Sequence, residues 1–376
     1  MWKKRYTGER KIAQPFNRNA PHSFDNEEYV RWAYRLLLGR EPETVDVVKN
    51  HPFKNDRSDL VESILCSEEF QRVNLKLRPF FLPQDSSPSI EFDITKLRQR
   101  DKRWLNVAEL RQWAKAVPVG MGLILCRTLG KYKQYVKESD VGLSPYLIMD
   151  GFYEYPITEF IARNVSEGMQ VMDIGANFGY YTLLMADLVG EHGTVYAFEP
   201  NYEAVNALGL SLRANNYDRR VSIDKRALWN CSNEQVTFHV PTIAATNARI
   251  IWPLDNRSPA TDTGVQERES ITVETIALDD LPLDRISFIK ADIEGAEERL
   301  WQGGKEFLYK NTNVIFLLEF NCARCQDPKN TLEEINQNFS IRFLDEESNV
   351  QDTTVDDILK TSVDWMLVIS KREKID

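Results

Sequence analysis

The sequence has 376 residues, of which 42% are hydrophobic and 28% are charged, and its formal net charge is −10 at pH 7. This composition is typical of a globular protein with enough apolar material for a core, and the length favours two domains. The acidic charge argues against an extended nucleic-acid-binding surface. The apolar stretch 117–129 is too short to span a bilayer, and no apolar segment of a secretory signal follows the basic start. We expect no transmembrane segment and a cytoplasmic location.

The pattern of charge, proline and hydrophobic spacing divides the chain into five segments. The first residues have no hydrophobic period, and a capping box at Asp25 and Glu28 begins a region whose apolar residues share one helical face. A polar stretch with two prolines then marks a linker. We predict a mobile tail at 1–23, a small helical domain at 24–82, a linker at 83–89, a lead-in or lid segment at 90–150 and an α/β domain at 151–376.

The lead-in has three recognisable patterns. Residues 107–117 have helical spacing, and two short apolar runs flank Gly130 as in a hairpin. The stretch 147–154 lies directly before a predicted helix and close to the first strand of the α/β domain. It could fold over the mouth of a ligand pocket with Tyr153 and Glu154 as polar tips, although Tyr153 could equally be a core residue.

The stretch 171–181 is the centre of the α/β domain. A short apolar run ends in Asp173, a turn with Gly175 and Gly179 follows, and an apolar helix comes next. Strand, tight turn and helix form the unit that opens a nucleotide-binding domain. The glycines would let the backbone approach a ligand, and the helix N-terminus suits a carboxylate. A purely structural glycine turn is the alternative.

The residues of this turn indicate which ligand it holds. A dinucleotide-binding turn has the pattern G-x-G-x-x-G, but here Asn177 and Tyr180 stand at the second and third glycine positions. Asp173 is placed to receive a cationic amine, and Glu199, at the end of the next strand, can accept hydrogen bonds from ribose hydroxyls. Amine, ribose and adenine without a diphosphate describe S-adenosyl-L-methionine. The missing glycines disfavour a nicotinamide oxidoreductase.

Strands and helices alternate regularly from residue 171 onwards, which predicts an α/β fold with a mostly parallel sheet. Seven core strands begin near residues 171, 194, 221, 286, 314, 341 and 365. Helices are expected at 202–215 and 296–310. A strand at 234–240 is predicted to pair with 271–278, and the polar insertion 241–270 between them is the expected place of substrate specificity.

A second polar stretch lies at the end of the fourth core strand, at Lys290, Asp292 and Glu294. Ligands of open α/β sheets bind beyond the carboxyl ends of the strands, so these side chains should converge with Asp173 and Glu199. Bringing several carboxylates together costs free energy unless a cation neutralises their charge. The cation could be the cofactor, Lys290 or a metal ion.

Five segments of the chain resemble the signatures of FkbM-type S-adenosylmethionine-dependent methyltransferases. They are LIMDGFYE at 147–154, MDIGANFGYYT at 172–182, FEPN at 198–201, FIKADIEGAE at 288–297 and LEFN at 318–321. The resemblance runs from about residue 142 onwards and departs at Tyr202, where the family has a second proline. It implies a Rossmann-like class I fold with a seven-stranded sheet and a reversed last hairpin. It also implies O-methylation, often of sugars or natural-product hydroxyls.

A shorter resemblance lies in the helical domain. YRLLLGREPE at 34–43 is similar to the YxxLLGRxPD signature of a small helical accessory domain, often attached to cell-envelope and glycan-handling proteins. It implies a packing module or a docking site for a protein partner. It favours a saccharide of the cell envelope as the methyl acceptor.

The predicted site combines cofactor-binding and catalytic residues. The cofactor is expected at Tyr153, Glu154, Asp173, Gly175, Ala176, Asn177, Gly179, Glu199, Pro200, Asn201, Arg226 and Ala227. Transfer to an alcohol requires placing it in line with the S–CH3 bond, and a base helps to remove its proton. Asp292 is the first candidate base, Glu294 the second and His239 the third, although a single histidine on an alternating strand is more often structural. Lys290 could steer a substrate carboxylate or serve as a buried ion-pair partner.

We therefore predict an O-methyltransferase that acts on a hydroxyl of a saccharide in cell-envelope or exopolysaccharide biosynthesis, or of another small molecule such as a natural product. A catalytically silent scaffold or binding module in a glycan-synthesis assembly is the alternative, and the intact acids argue against it. A divalent ion held by Asp292, Glu319 and Asn321 would be another way to activate the hydroxyl. No metal is part of the predicted site. The spacing Cys322-x-x-Cys325 is interpreted as two reduced thiols in a loop, because no second such pair exists.

Overall fold

The computed structural model describes residues 91–241, 249–250, 268–371 and 375. The predicted tail, accessory domain and linker lie outside the described residues, and so does most of the polar insertion. The described part is an α/β protein with one large sheet and two smaller ones.

The elements are numbered along the described chain. The helices are α1 (Arg103–Trp113), α2 (Ser144–Met149), α3 (Tyr155–Asn164), α4 (Tyr180–Leu188), α5 (Tyr202–Ala214), α6 (Glu297–Gln302), α7 (Lys305–Lys310), α8 (Pro328–Asn338) and α9 (Val355–Leu359). Short 3₁₀ helices span Ile94–Arg98, Arg100–Lys102, Leu278–Asp280 and Cys322–Arg324. The strands are β1 (Lys115–Gly120), β2 (Leu123–Thr128), β3 (Tyr132–Lys137), β4 (Gln170–Ile174), β5 (Thr194–Phe198), β6 (Val221–Asp224), β7 (Ala227–Leu228), β8 (Gln235–Pro241), β9 (Arg249–Ile250), β10 (Arg268–Ile276), β11 (Ile286–Ala291), β12 (Ile315–Phe320), β13 (Ser340–Leu344), β14 (Val350–Asp352) and β15 (Trp365–Ser370).

The large sheet has the strand order β14-β13-β15-β12-β11-β4-β5-β6. Neighbouring strands from β12 to β6 are parallel, whereas β15 is antiparallel to both β12 and β13. The seven strands predicted from the sequence all lie in this sheet, and the reversed last hairpin is present. The short β14, which pairs with β13, adds an eighth strand that the sequence did not predict.

Helices cover both faces of this sheet, and alternate residues of each strand supply the two halves of the core. Val171 and Phe288 belong to one hydrophobic cluster, in which Phe288 contacts Phe160 of α3 with ring centroids 6.1 Å apart. Met172 belongs to the other cluster, together with Leu300 of α6. Burial on both faces explains why these strands are continuous apolar runs in the sequence.

Residues 91–150 pack into the first of these clusters. They form α1, the antiparallel sheet β1-β2-β3 and α2, and their fully buried residues include Leu97, Leu110 and Leu147. The helical pattern predicted at 107–117 is wrong at its end, because α1 stops at Trp113 and β1 begins two residues later. The physical reason is sheet pairing, because residues 115–118 pair with β2 as an edge strand, in which Pro118 is tolerated.

Two further elements bear on the sequence predictions. The single helix predicted at 296–310 is two helices, α6 and α7, separated by Gly303 and Gly304. Gly303 is the C-cap of α6 and Gly304 the N-cap of α7, and a Cβ on Gly303 would lie 2.1 Å from the carbonyl oxygen of Trp229. The predicted pairing of 234–240 with 271–278 is confirmed, because β8 and β10 are antiparallel neighbours in a sheet of order β7-β10-β8-β9.

The turn between β4 and α4 packs directly on the end of β11. Gly175 has φ +79°, and a Cβ there would lie 2.0 Å from the carbonyl oxygen of Asp292. Gly179 has φ +85°, and its Cβ would lie 2.3 Å from Leu208 of α5. The sequence prediction gave these glycines the role of approaching a ligand. The contacts show that packing requires Gly175, because its neighbour is a backbone carbonyl, whereas Gly179 is favoured mainly by its left-handed backbone conformation.

Gly175→Ala should lower the free energy of unfolding by about 3 kcal/mol, because an L-residue in the left-handed region is strained and the new Cβ overlaps the Asp292 carbonyl. Gly168→Ala is the matched control, since Gly168 has φ +81° but no atom lies within 4 Å of its Cβ position. Gly168→Ala should lose only about 1 kcal/mol of free energy of unfolding, which is the cost of the left-handed backbone conformation. Urea unfolding of both variants measures the difference, and equal losses would contradict the packing role.

Candidate active site

Polar side chains from three neighbouring strands meet at the carboxyl edge of the large sheet. The pairing of β4 with β11 sets Asp173 beside Lys290, and the register of β11 with β12 sets Asp292 next to Glu319. Because side chains alternate along a strand, all four lie on the sheet face that packs against α3 and α4. The register therefore brings together acids from distant parts of the sequence.

Lys290 is the cation at the centre of this cluster. Its side chain is 3% exposed, and Nζ lies 3.2 Å from Asp292 Oδ2 and 4.8 Å from the ring centroid of Tyr181. Burial alone would lower the pKa of the ammonium, but the carboxylates of Asp292, Asp173 and Glu154 outweigh it and raise the pKa. The group therefore stays charged. This favours the role of buried ion-pair partner over that of steering a substrate.

Asp173 has one oxygen that the protein leaves unsatisfied. Thr182 Oγ1 donates to its Oδ2 at 2.5 Å, whereas Oδ1 is buried without a hydrogen-bond partner among the described residues. The same is true of Asn177 Oδ1 in the adjacent turn. Burial raises the pKa of Asp173, although Lys290 opposes the shift. Two unpaired acceptors at this turn fit a ligand that donates hydrogen bonds, as the amine of S-adenosylmethionine does.

Several backbone N–H groups of the turn are used within the protein. Those of Gly175 and Ala176 donate to the carbonyl oxygen of Phe198, and that of Gly179 donates to Ala176. The N–H of Asn177 donates to Glu199 Oε2 at 2.8 Å. These turn N–H groups are therefore not available to the cofactor's carboxylate, and the expectation that the N-terminus of α4 receives it stays a prediction.

Glu199 is held rigidly at the end of β5. Its Oε1 accepts from the backbone N–H of Asn201 at 2.8 Å, while its Oε2 accepts from that of Asn177. Each oxygen has a further lone pair, which a ribose hydroxyl could use. Burial raises the pKa of Glu199 to about 7 despite these two hydrogen bonds. The side chain of Asn201 caps α5 through the N–H of Glu203.

The end of the lead-in packs against the cluster, and its role as a lid stays a prediction. Glu154 Oε2 accepts from the hydroxyl of Tyr181 at 2.9 Å, and burial together with Asp292 raises the pKa of Glu154 to about 7. Tyr153 packs edge-on against Tyr146 and Tyr180, with ring centroids 5.4 and 6.5 Å away. Its pKa is raised by burial and then by Glu154, Asp292 and Glu319, so its hydroxyl lies within the field of the cluster.

Asp292 and Glu319 form a pair of unequal acids. The side chain of Asp292 is 26% exposed and that of Glu319 is 16% exposed. Burial opposes ionisation of Asp292, but Lys290 and a hydrogen bond with Glu319 hold its pKa below the usual range. Burial and the neighbouring Asp292 raise the pKa of Glu319 to about 11. Asp292 is therefore the ionised member and the more open one.

Glu294 is engaged by a cation that the sequence reasoning missed. Arg324 Nη1 lies 3.0 Å from Glu294 Oε2 and 3.7 Å from Glu319 Oε1, and Nη2 lies 2.9 Å from Asp364 Oδ1. Burial still raises the pKa of Glu294 to about 7. The sequence offers one signal for Arg324, its position just after the acid-ending strand β12, but it does not show which acids Arg324 pairs with. The thiols of Cys322 and Cys325 donate to the backbone carbonyl oxygens of Ile358 and Asn321, at 3.5 and 3.6 Å.

The remaining predicted residues lie further along the edge or elsewhere. Arg226 forms an ion pair with Asp224 at 2.6 Å at the end of β6, and Ala227 begins β7. Pro200 stands between Glu199 and the helix cap. His239 lies on β8 in the second sheet, where its Nδ1 is 3.1 Å from Ser270 Oγ. The structure does not place it at the edge of the large sheet.

The metal alternative does not fit the donor set. Asn321 Oδ1 accepts from the backbone N–H of Ala323 at 2.9 Å, and its amide nitrogen donates to Asp364 at 2.8 Å. The Asn321 side chain is therefore oriented to cap the 3₁₀ helix after β12. The two carboxylates that a divalent ion would need already face cations, since Lys290 Nζ lies 3.2 Å from Asp292 and Arg324 Nη1 lies 3.7 Å from Glu319. Among the described residues, no group of three or more His, Cys, Asp or Glu side chains is arranged to hold a metal ion.

A pH-dependent stability follows from Glu297, at the start of α6. It is buried, accepts from the N–H of Gly295 at 2.8 Å, and burial raises its pKa to about 7 from the model-compound value of 4.5. The folded state thus binds more protons than the unfolded state between these pH values, and the free energy of unfolding falls as pH rises through them.

Glu297→Gln should therefore become more stable relative to wild type as pH rises. At pH 5 both side chains are neutral and similar in shape, so the melting temperatures should be close. At pH 8 the variant should be more stable by about 2.5 kcal/mol, which corresponds to a melting temperature higher by about 6 °C. Thermal unfolding at both pH values measures this, and a difference that is independent of pH would contradict the burial effect.

Comparison with known proteins identifies the domain. Residues 173–340 match the sequence model described as the Methyltransferase FkbM domain. No curated protein shows significant similarity to the chain. In the part of the chain that the structure describes, none of the helices has the length and apolar character that a bilayer crossing requires.

Three solved structures are similar at low identity. FkbM methyltransferase from Methylobacillus flagellatus KT is 12% identical, with a TM-score of 0.35, covering 81% of this chain and 71% of that one. An O-methyltransferase from Thermotoga maritima is 11% identical (TM-score 0.33, 60% and 68% covered). A candidate rRNA methylase from Clostridium thermocellum is 15% identical (TM-score 0.35, 56% and 91% covered). Because all three TM-scores lie at or below 0.35, these structural similarities support no conclusion about function.

The family match spans the four acid-bearing strand ends, the glycine turn and the buried lysine described above. It confirms the family recognised from the five sequence segments, the enzyme class and the cofactor. The chain contains an FkbM methyltransferase domain, and it is a methyltransferase that uses S-adenosyl-L-methionine.

Proposed function

We propose that the protein transfers the methyl group to a hydroxyl of a small-molecule acceptor, and that this acceptor is a saccharide. The proposal rests mainly on the ionisation and the exposure of the Asp292 side chain. It is the ionised and more open member of the Asp292–Glu319 pair, fixed by Lys290 at the edge of the sheet. An alcohol is a weak nucleophile, and a carboxylate positioned in this way can take its proton as the bond to carbon forms.

The cofactor would be held on the same edge. The unpaired Oδ1 of Asp173 suits its amine, and the remaining lone pairs of Glu199 suit its ribose hydroxyls. When bound, S-adenosylmethionine supplies the methyl group, and its sulfur keeps the bonding electrons. The lid residues Tyr153 and Glu154 would exclude water above the cluster, since Glu154 is tied to Tyr181 of α4.

The other candidate bases are less well suited to the reaction. Glu294 is bound by Arg324, which would compete with an acceptor hydroxyl for its oxygens. His239 lies in the second sheet beside Ser270. Asp292 therefore remains the preferred base, with Glu294 as the alternative.

The saccharide assignment rests on the resemblance of residues 34–43 to an accessory domain attached to glycan-handling proteins. That domain would also provide a docking site for a protein partner in a glycan-synthesis assembly. A small acceptor agrees with the acidic net charge of −10, which disfavours a nucleic-acid substrate.

Asp292→Asn should reduce methyl transfer by about 100-fold or more while leaving cofactor affinity within about threefold of wild type. Transfer from methyl-labelled S-adenosylmethionine to a panel of free sugars, nucleotide sugars and other polyols would supply the assay. Glu294→Gln is the companion variant and should lose less than about tenfold.

Full turnover in both variants, with normal cofactor binding, would show that neither carboxylate is the base. Cofactor binding without transfer to any hydroxyl acceptor in the panel would count against the O-methyltransferase proposal. It would favour a catalytically silent module.

A further inference from the structure

Glu319 lies behind Asp292 and is poorly neutralised by the cations of the cluster. Its ion pair with Arg324 is long, at 3.7 Å from Oε1 to Nη1. The same guanidinium is closer to Glu294 and Asp364, at 3.0 and 2.9 Å. The ammonium of Lys290, at 3.2 Å, contacts Asp292. The two cations are therefore committed mainly to the neighbours of Glu319.

Two adjacent carboxyl groups in a buried site cannot both ionise at low cost. The register of β11 and β12 pairs Ala291 with Leu318, so the residues that follow, Asp292 and Glu319, lie side by side on the same face. Hydrogen bonding with Glu319 is among the causes that lower the pKa of Asp292. Such a pair retains one proton, and it stays on the group with the weaker cation and the greater burial. Both criteria select Glu319, whose side chain is 16% exposed against 26% for Asp292.

We propose that Glu319 is a positioning residue that remains a neutral carboxylic acid and donates its proton in a hydrogen bond to the Asp292 carboxylate. The inference rests on the proposed function, in which Asp292 is the base. Lys290 contacts Asp292 at Oδ2, and Glu319 adds a second fixed contact. The carboxylate is thereby oriented with a lone pair left for an acceptor hydroxyl.

Asp292 and Glu319 have different roles in the proton transfer that accompanies methylation. The acceptor oxygen forms the new bond to the methyl carbon, and the methyl–sulfur bond breaks with its electrons staying on sulfur. The hydroxyl proton passes to Asp292. Glu319 keeps its own proton from start to finish, so it is neither the base nor a metal ligand. An uncharged hydrogen-bond donor of the same shape should therefore replace it.

Infrared spectroscopy of the full-length protein at pH 9 tests the protonation directly. The difference spectrum between wild type and Glu319→Gln should contain the carbonyl band of one protonated carboxylic acid. Glu297→Gln is the matched control: Glu297 is also buried but has a pKa of about 7, so its difference spectrum should show this band at pH 5 and lose it at pH 9. Absence of the band from the Glu319 difference spectrum at pH 9 would overturn the inference.

Methyl transfer tests the positioning role. Glu319→Gln, whose amide can still donate to Asp292, should retain transfer within about threefold of wild type. Glu319→Leu, which cannot donate, should lose about 100-fold because the base is no longer oriented. Equal losses in both variants, with normal cofactor binding, would mean that the carboxyl itself is needed and would contradict the proposal.

The two measurements separate the inference from the proposed function. If wild type transferred no methyl group to any hydroxyl, the proposed function would fail, and the positioning role would fall with it. The infrared spectra would still decide whether Glu319 holds the proton. A protein active on a hydroxyl but lacking the protonated Glu319 would refute the inference alone.

Discussion

The site depends on one buried ammonium group. Lys290 is almost completely excluded from solvent, yet the acids of β4, β11 and the lid segment keep it charged. In return, its charge allows Asp292 to stay ionised in a place where burial alone would protonate it. A buried ion pair of this kind contributes little net stability, but removing either partner would leave an uncompensated charge. The cluster therefore acts as one electrostatic unit, and the protonation of each acid depends on its distance from the two cations.

The packing around this unit explains why the glycine turn has its sequence. Gly175 allows the turn to rest on the carbonyl of Asp292, so the segment that bears Asp173 and the segment that bears Asp292 are in direct backbone contact. Glu199 then binds the turn from the next strand through Asn177. The turn thus joins three strand ends rigidly, and rigid placement is what a transfer reaction needs. The cofactor would meet side-chain acceptors here, since several turn amides are already satisfied.

Much of this arrangement could be predicted from the sequence. The apolar runs that end in Asp173, Glu199 and Asp292 predicted parallel strands, and the rule that ligands bind at their carboxyl ends placed the acids together. The sequence predictions that were wrong or missing concern features that depend on tertiary contacts. The break between α6 and α7 lies at the adjacent Gly303 and Gly304, and Gly303 packs on the carbonyl of Trp229, far away in sequence. The role of Arg324 could not be read from sequence because it depends on how the loop after β12 meets Glu294 and Asp364. Protonation states likewise follow from burial and neighbours, which only the folded chain defines.

The central claim is that this acid-lined edge binds S-adenosylmethionine through side chains fixed by the fold. Calorimetric titration of the full-length protein with S-adenosylmethionine tests it most directly, with Glu199→Ala as the variant and the exposed Glu191→Ala as the control. The account predicts saturable binding by wild type and by the control, and affinity at least about tenfold weaker in Glu199→Ala, with thermal unfolding showing that the variant is folded. Wild-type binding that is absent, or unchanged by the loss of Glu199, would contradict it.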